Sequence, residues 1–168
     1  MSILSSKFDI VSVDNPVAVA ALAQVLAVPG GMALNSEGTP VPGTIPAGAI
    51  VTMDGSGQAV LATTGDVSEA TGSRLNAKMV FVAIDGNKDF SGSFVQKLTV
   101  LHGGFTMKTD QYDLASGAQN VPGKLVTFKA GKVHAAAATD QILGVVGPGS
   151  LDATNGVLEV IVPQGNGL

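Results

Sequence analysis

The sequence contains no cysteine and no tryptophan, and its aromatics amount to six Phe and one Tyr in 168 residues. Without cysteine there is no disulfide framework, no thiolate zinc site and no cysteine nucleophile. Recognition of RNA on a sheet needs exposed aromatics among basic residues, which this composition does not supply. Charge is scarce too: Asp, Glu, Lys and Arg make up 13% of the chain, against roughly 25% in an ordinary domain. Nine basic residues against 13 acidic ones give a net charge of −4 and leave no electrostatic footprint for nucleic acid. No apolar run approaches the roughly 18 residues of a membrane-spanning helix. The expectation is a partner set without nucleic acid and without membrane.

What the chain has in quantity is small and apolar. Hydrophobic residues reach 45%, and 22 Gly and 8 Pro punctuate them. A dissolved monomer usually carries more surface charge than this. Two readings follow: partner subunits cover much of the surface, or the chain is a compact β-protein with a Ser/Thr/Asn/Gly exterior.

Residues 1–13 alternate weakly, as an arm or an edge strand does. Asn15 and Pro16 then give a helix-start signal, a capping residue before a first-turn proline. The Ala-rich stretch Val17 to Val28 predicts a short helix, stopped by Pro29-Gly30-Gly31. Only Gln24 is polar in it, so such a helix is expected to be buried. At about 100° per residue, Val19, Leu22, Val25 and Leu26 share one face, a candidate docking stripe. The acidic Asp9 and Asp14 upstream speak against a signal-peptide reading. Residues 29–46 are dense in Gly, Pro and Ser and read as a connector. Residues 1–44 are thus expected to form an arm, and residues 45–168 a β-rich domain.

From Ile45 on, short Val/Ile/Leu/Phe runs alternate with turn formers, the signature of a small β-barrel or sandwich. The pattern occurs twice. Ile45 to Asp66 (IPAGAIVTMDGSGQAVLATTGD) parallels Val121 to Asp140 (VPGKLVTFKAGKVHAAAATD). Val80 to Gly104 parallels Ile142 to Gly167. The expected unit is four strands, repeated over about 45–104 and 121–167, with His134 matching Val60 and His102 matching Gln164. Phe105 to Asn120 reads as a mostly polar connector between the copies. An insertion in the first copy, Val67 to Met79, carries Arg74 and Lys78 and is a candidate contact loop.

Catalytic chemistry is hard to find. His102 and His134 are the two histidines, and neither has a nucleophile or acidic partner at a telling spacing. No phosphate-binding loop, HExxH, GxSxG or SxxK pattern occurs. Gly55-Ser56-Gly57 and Gly147-Pro148-Gly149 read as β-turn glycines. Asp85, Asn87 and Asp89 occupy positions 1, 3 and 5 of a calcium loop. Phe90 and Gln96, however, stand where the loop needs Gly and a bidentate Glu, so a hairpin loop explains them more simply. No cofactor and no catalysed reaction are expected.

The strand–turn–strand of Ile45 to Asp66, with Phe81 to Asp113 and Ile142 to Gly149, resembles the small β-rich decoration (cement) proteins on the heads of tailed bacteriophages. The resemblance covers roughly residues 40–168 and lies in turn and strand chemistry. It implies an auxiliary virion protein, made in the host bacterial cytoplasm, that sits on the capsid surface and clamps neighbouring major capsid subunits. It also implies a homo-oligomer, with a trimer favoured over a dimer. Read from the residues themselves, the interface candidates are Val19, Leu22, Val25 and Leu26, with packing into the subunit's own core as the alternative, and Arg74 and Lys78, with a solvated surface loop as the alternative. Another phage part (tail, baseplate or head fibre) and a β-sandwich binding module are the alternatives; the single Tyr weighs against a sugar-stacking module.

Overall fold

The computed structural model describes residues 7–13, 24–27, 33–34, 40–41, 45–53, 59–63, 79–86, 97–114, 121–152 and 156–163. Among these residues the regular structure is all β: β1 (Phe8–Val13), β2 (Gln24–Ala27), β3 (Ala33–Leu34), β4 (Pro40–Val41), β5 (Ile50–Met53), β6 (Ala59–Leu61), β7 (Val80–Ala83), β8 (Lys97–Leu101), β9 (Phe105–Thr109), β10 (Tyr112–Asp113), β11 (Leu125–Lys129), β12 (Lys132–Ala135), β13 (Gly144–Asp152) and β14 (Val157–Val162). A seven-stranded sheet runs β1-β9-β14-β13-β11-β12-β10, and a five-stranded sheet runs β2-β8-β7-β5-β6. β3 and β4 pair by themselves within the Pro/Gly connector. Of the two expected architectures, the two-sheet one is observed; no closed barrel forms among the described residues.

Burial explains which runs became strands. Ile50, Val82 and Leu101 of the five-stranded sheet share one interior with Phe105, Met107, Val126, Phe128, Val146, Leu158 and Val160 of the larger sheet. The opposite face of the five-stranded sheet is buried as well, through Val51, Phe81, Ala83, Leu98 and Val100. A sheet covered on both faces needs an unbroken apolar strand, and Val80-Phe81-Val82-Ala83 is buried at every position. With few aromatics available, Phe81, Phe105 and Phe128 are all fully buried, each contributing roughly 1.5–3 kcal/mol.

The repeat is visible in the topology. β8-β7-β5-β6 and β14-β13-β11-β12 are the same four-strand order, one in each sheet. The entry turns match bond for bond. Gly48 donates to the Ala83 carbonyl at 2.7 Å and Gly123 to that of Val146 at 2.8 Å; Ala83 N reaches the Ala49 carbonyl at 2.9 Å and Val146 N that of Lys124 at 2.8 Å. Gly48 and Gly123 both hold positive φ, 79° and 84°, a conformation that favours glycine in each copy. The conserved-looking Thr also repeats its role: Thr52 Oγ1 donates to the Met79 carbonyl and Thr127 Oγ1 to that of Gln141. Pairing of Thr52 with Val60 and of Thr127 with His134 sets His134 at the position of Val60, as expected. Pairing of Ala83 with Val100 and of Val146 with Val160 makes Val162, not Gln164, the counterpart of His102.

Two further expectations are corrected. Gln24–Ala27, the last third of the expected helix, is a strand paired antiparallel to β8; residues 17–23 of that helix lie outside the described residues. Phe105 to Thr109, read as polar connector, is β9, bonded to β1 on one side and β14 on the other. Its alternation hid it: Phe105, Met107 and Thr109 point inward while Thr106 and Lys108 face out. The N-terminal residues thus follow the β8–β9 ribbon in reverse, β1 along β9 and β2 along β8, as an edge strand on each sheet.

The sheets are also stitched through their backbones. The two-residue turn of the β11–β12 hairpin, Ala130 and Gly131 at φ 50° and 75°, has the positive φ pair that matches strand twist. Its tip reaches the five-stranded sheet: Ala130 N donates to Thr63 O at 2.7 Å, Gly131 N to Ala62 O at 2.8 Å, and Ile50 N to Gly131 O at 2.8 Å. A β-carbon on Gly131 would lie 2.6 Å from Leu61 Cδ2, whereas one on Gly123 would meet nothing within 4 Å. Gly131→Ala is therefore expected to destabilise by about 2–4 kcal/mol, the left-handed backbone penalty plus overpacking. Gly123→Ala carries only the first, about 1–2 kcal/mol. Urea unfolding of the two variants checks the difference.

Candidate functional site

The residues singled out for chemistry do not converge. His102 follows β8 and is half-buried, its ring centroid 5.4 Å from that of Phe81 and tilted by 53°, so packing accounts for it. His134 lies on β12, with Nδ1 3.0 Å from the Ala135 carbonyl oxygen. Its register neighbours are Thr127 on β11 and Asp113 on β10, but the Thr127 hydroxyl is spent on the Gln141 carbonyl at 2.7 Å. Asp85 is exposed in the bend after β7; Asn87 and Asp89 lie outside the described residues. No group of three potential metal ligands gathers among the described residues. Val19, Leu22, Arg74 and Lys78 also fall outside them. Val25 and Leu26 sit on β2, opposite Thr99 and Leu98, and not on a helical stripe.

What the fold does build is exposed apolar positions on two sides. On the five-stranded sheet, alternation puts Met53 on the side of Val51, away from the larger sheet, at the margin where the cover over Val51 ends. Thr52 pairs with Val80, so continuing the register by one sets Met53 opposite Met79, the residue that follows Lys78. Both are exposed, by 41% and 55%. Flexible thioethers at a surface make an adaptable apolar contact.

The outer face of the seven-stranded sheet has two neighbouring rows. One is apolar: Leu125, Val145 and Ile161 stand opposite one another across β11, β13 and β14, followed by Thr106 on β9. Leu125 is 54% exposed. Val11 is exposed beside this row, where the register of β1 slips between Ile10 and Ser12. The second row is charged: Glu159 faces Lys108, and Lys108 faces Asp9 on its other side. Opposite charges directly across an antiparallel ladder are mutually favourable.

Glu159 anchors a feature that the sequence did not disclose. Between the pairs Val146–Val160 and Leu151–Leu158, β13 inserts residues 147–150 against Glu159 alone. Gly147-Pro148-Gly149 is therefore a wide bulge within a strand, not a turn between strands. The bulge folds over the carboxylate, leaving Glu159 7% exposed, and Gly149 N donates to Oε1 at 3.1 Å. A β-carbon on Gly147 would sit 2.5 Å from Oε1, and one on Gly149 would meet Oε2. The glycines permit this close approach, since a β-carbon at either would displace the carboxylate; the only sequence trace was a Gly-Pro-Gly run facing a lone Glu in the partner strand.

Comparison with known proteins finds no matching family model, no similar curated protein and no similar solved structure.

Replacing Glu159 by Ala leaves the Gly149 amide without its acceptor and is expected to destabilise by about 1–3 kcal/mol. Glu159→Gln keeps an acceptor oxygen and should lose less. Amide hydrogen exchange at Gly149 reads the local effect: faster in the Ala variant, close to wild type in the Gln variant.

Proposed function

We propose that the chain is a structural virion protein that decorates a bacteriophage capsid and stabilises it by bridging neighbouring major capsid subunits. One observation carries this reading: a single two-sheet body carries exposed apolar residues on opposite sides, Met53 and Met79 at the open margin of the covered face of the five-stranded sheet, Leu125 and Val11 on the larger sheet. A clamp must hold at least two neighbours at once, and contacts on opposite sides of one body do so. The low charge suits surfaces that become covered, since interface cores are depleted in charged residues. The resemblance of the repeated strand–turn–strand units to phage decoration proteins points the same way. On this reading the protein acts by binding alone, without cofactor, on the capsid surface, with itself and the major capsid protein as partners.

Particles produced by the cells that encode the chain, labelled with an antibody against it and imaged by electron microscopy, test the proposal. Label repeating over the head lattice is expected. Label confined to the tail, baseplate or fibres favours the other virion reading, and unlabelled particles overturn both. Met53→Asp combined with Met79→Asp should lower head occupancy while leaving the β-signal in circular dichroism unchanged.

A further inference from the structure

Beside each four-strand unit stands one further strand. β2 pairs antiparallel with β8, and β9 pairs antiparallel with β14, the strand equivalent to β8. β2 and β9 therefore hold the same place. Val100 matches Val160, hence Thr99 matches Glu159, so Val25 stands where Lys108 does and Ala27 where Asp110 does. Beyond that place the two sheets differ. β9 is flanked by β1, again antiparallel, with Lys108 opposite Asp9 and Asp110 N donating to Lys7 O at 3.0 Å. β2 has no second neighbour among the described residues.

The ladder fixes where the backbone groups of β2 point. Ile84 N donates to Thr99 O at 2.9 Å, which turns Thr99 toward β7 and its neighbours Leu98 and Val100 toward β2. Their partners Leu26 and Gln24 point back at β8. Adjacent residues of a strand alternate in this respect, so Val25 and Ala27 direct N–H and C=O outward. These are the positions whose counterparts, Lys108 and Asp110, face β1.

We propose that this edge is the self-association site of the protein, filled by β2 of a second copy running antiparallel. The repeat itself shows the kind of occupant, an antiparallel strand laid along the outward groups. Which strand of a second copy can serve follows from the other edges. β10 and β6 have two and three residues, and β1 carries Asp9 and a register slip, all devices that hinder strand addition. β2 has no such guard: Gln24-Val25-Leu26-Ala27 is uncharged and regularly registered. Two copies of β2 bring no like charges together, and an antiparallel pair of identical strands is two-fold and closes. Centred on Leu26, the pairing sets Val25 opposite Ala27 of the second copy and makes about four inter-chain hydrogen bonds. The product is a dimer, not the trimer that the resemblance implies, and its two five-stranded sheets are continuous. Such a dimer forms in solution whether or not the chain sits on a capsid.

Sedimentation of the full chain at micromolar concentration, joined to amide hydrogen exchange, tests the pairing. The wild type is expected to be dimeric. Its Val25 and Ala27 amides should be protected in the dimer and exchange faster on dilution, while those of Gln24 and Leu26, bonded to β8, change less. Val25→Pro removes one outward N–H from each copy and leaves the β8 ladder its donors. Self-association should then weaken about tenfold or more. Val25→Thr keeps the N–H and should stay dimeric. If the Pro form does not fold, the exchange pattern of the wild type decides by itself. A monomeric wild type overturns the inference, as does a dimer whose Val25 and Ala27 amides are unprotected or one that Val25→Pro leaves unchanged. The decoration role fails separately, on unlabelled particles. A monomer that labels heads, and loses the label through Val25→Pro, gives the edge to a capsid strand instead.

Discussion

Ile50, Val82 and Leu101 have to share an interior with Val126, Val146 and Val160, and this requirement fixes the relation between the two sheets. Side chains alternate along a strand, so once these residues face inward every neighbour's side is decided. Val51, Phe81, Ala83, Leu98 and Val100 are sent to the second buried cluster, while Leu125, Val145 and Ile161 are sent to the outside. A slip of one residue in either sheet would exchange these sets and expose the core. Backbone bonds at the Gly131 tip hold the setting, because Ile50 N and Ala62 O are satisfied only when the hairpin arrives there. An unpaired buried backbone group costs about as much as a lost hydrogen bond, so the stitch and the apolar interior enforce the same register.

The repeat was legible because its turn chemistry recurs in plain sight. Gly48 and Gly123, and Thr52 with Thr127, do matching work, while the proline shifts by one place between copies, Pro46 standing at the position of Val121. The N-terminal strand β2 was not legible, since Ala-rich apolar sequence at Val17 to Val28 satisfies a helical pattern equally well and only the pairing with β8 decides residues 24–27. β9 was missed for a different reason. Phe105-Thr106-Met107-Lys108-Thr109 is a clean period-2 pattern, but Thr and Lys at its outward positions made the segment read as polar. Glu159 and its bulge are non-local: ten residues separate Gly149 from the carboxylate it binds. No spacing rule connects them.

Stacking two equivalent units in the same orientation has a consequence that face-to-face packing would not. In a face-to-face pair both apolar faces meet and the outside is polar on both sides. Here the inner row of one unit is the outer row of the other, so the same apolar residue types reach the outer side, where Leu125 is exposed and Val145 and Ile161 are half-buried.

The edges of the sheets show how the fold hinders the addition of further strands. An unguarded edge is a template for pairing with another chain, and natural proteins shorten, charge or bulge their edges to prevent it. β10 is a two-residue strand, and β6 has three residues; β2, the fourth edge of the two large sheets among the described residues, has four uncharged residues and a regular register. β1 is longer at six residues, but it carries the charged Asp9, follows the charged Lys7 and slips register between Ile10 and Ser12. Each of these devices disrupts the straight, evenly spaced ladder that a partner strand needs. The outer face of the seven-stranded sheet has no comparable defence at Leu125, where an apolar side chain stands more than half exposed. Three of these four edges are thus blunted, while on the sheet face Leu125 stands among charged neighbours with its apolar side chain exposed.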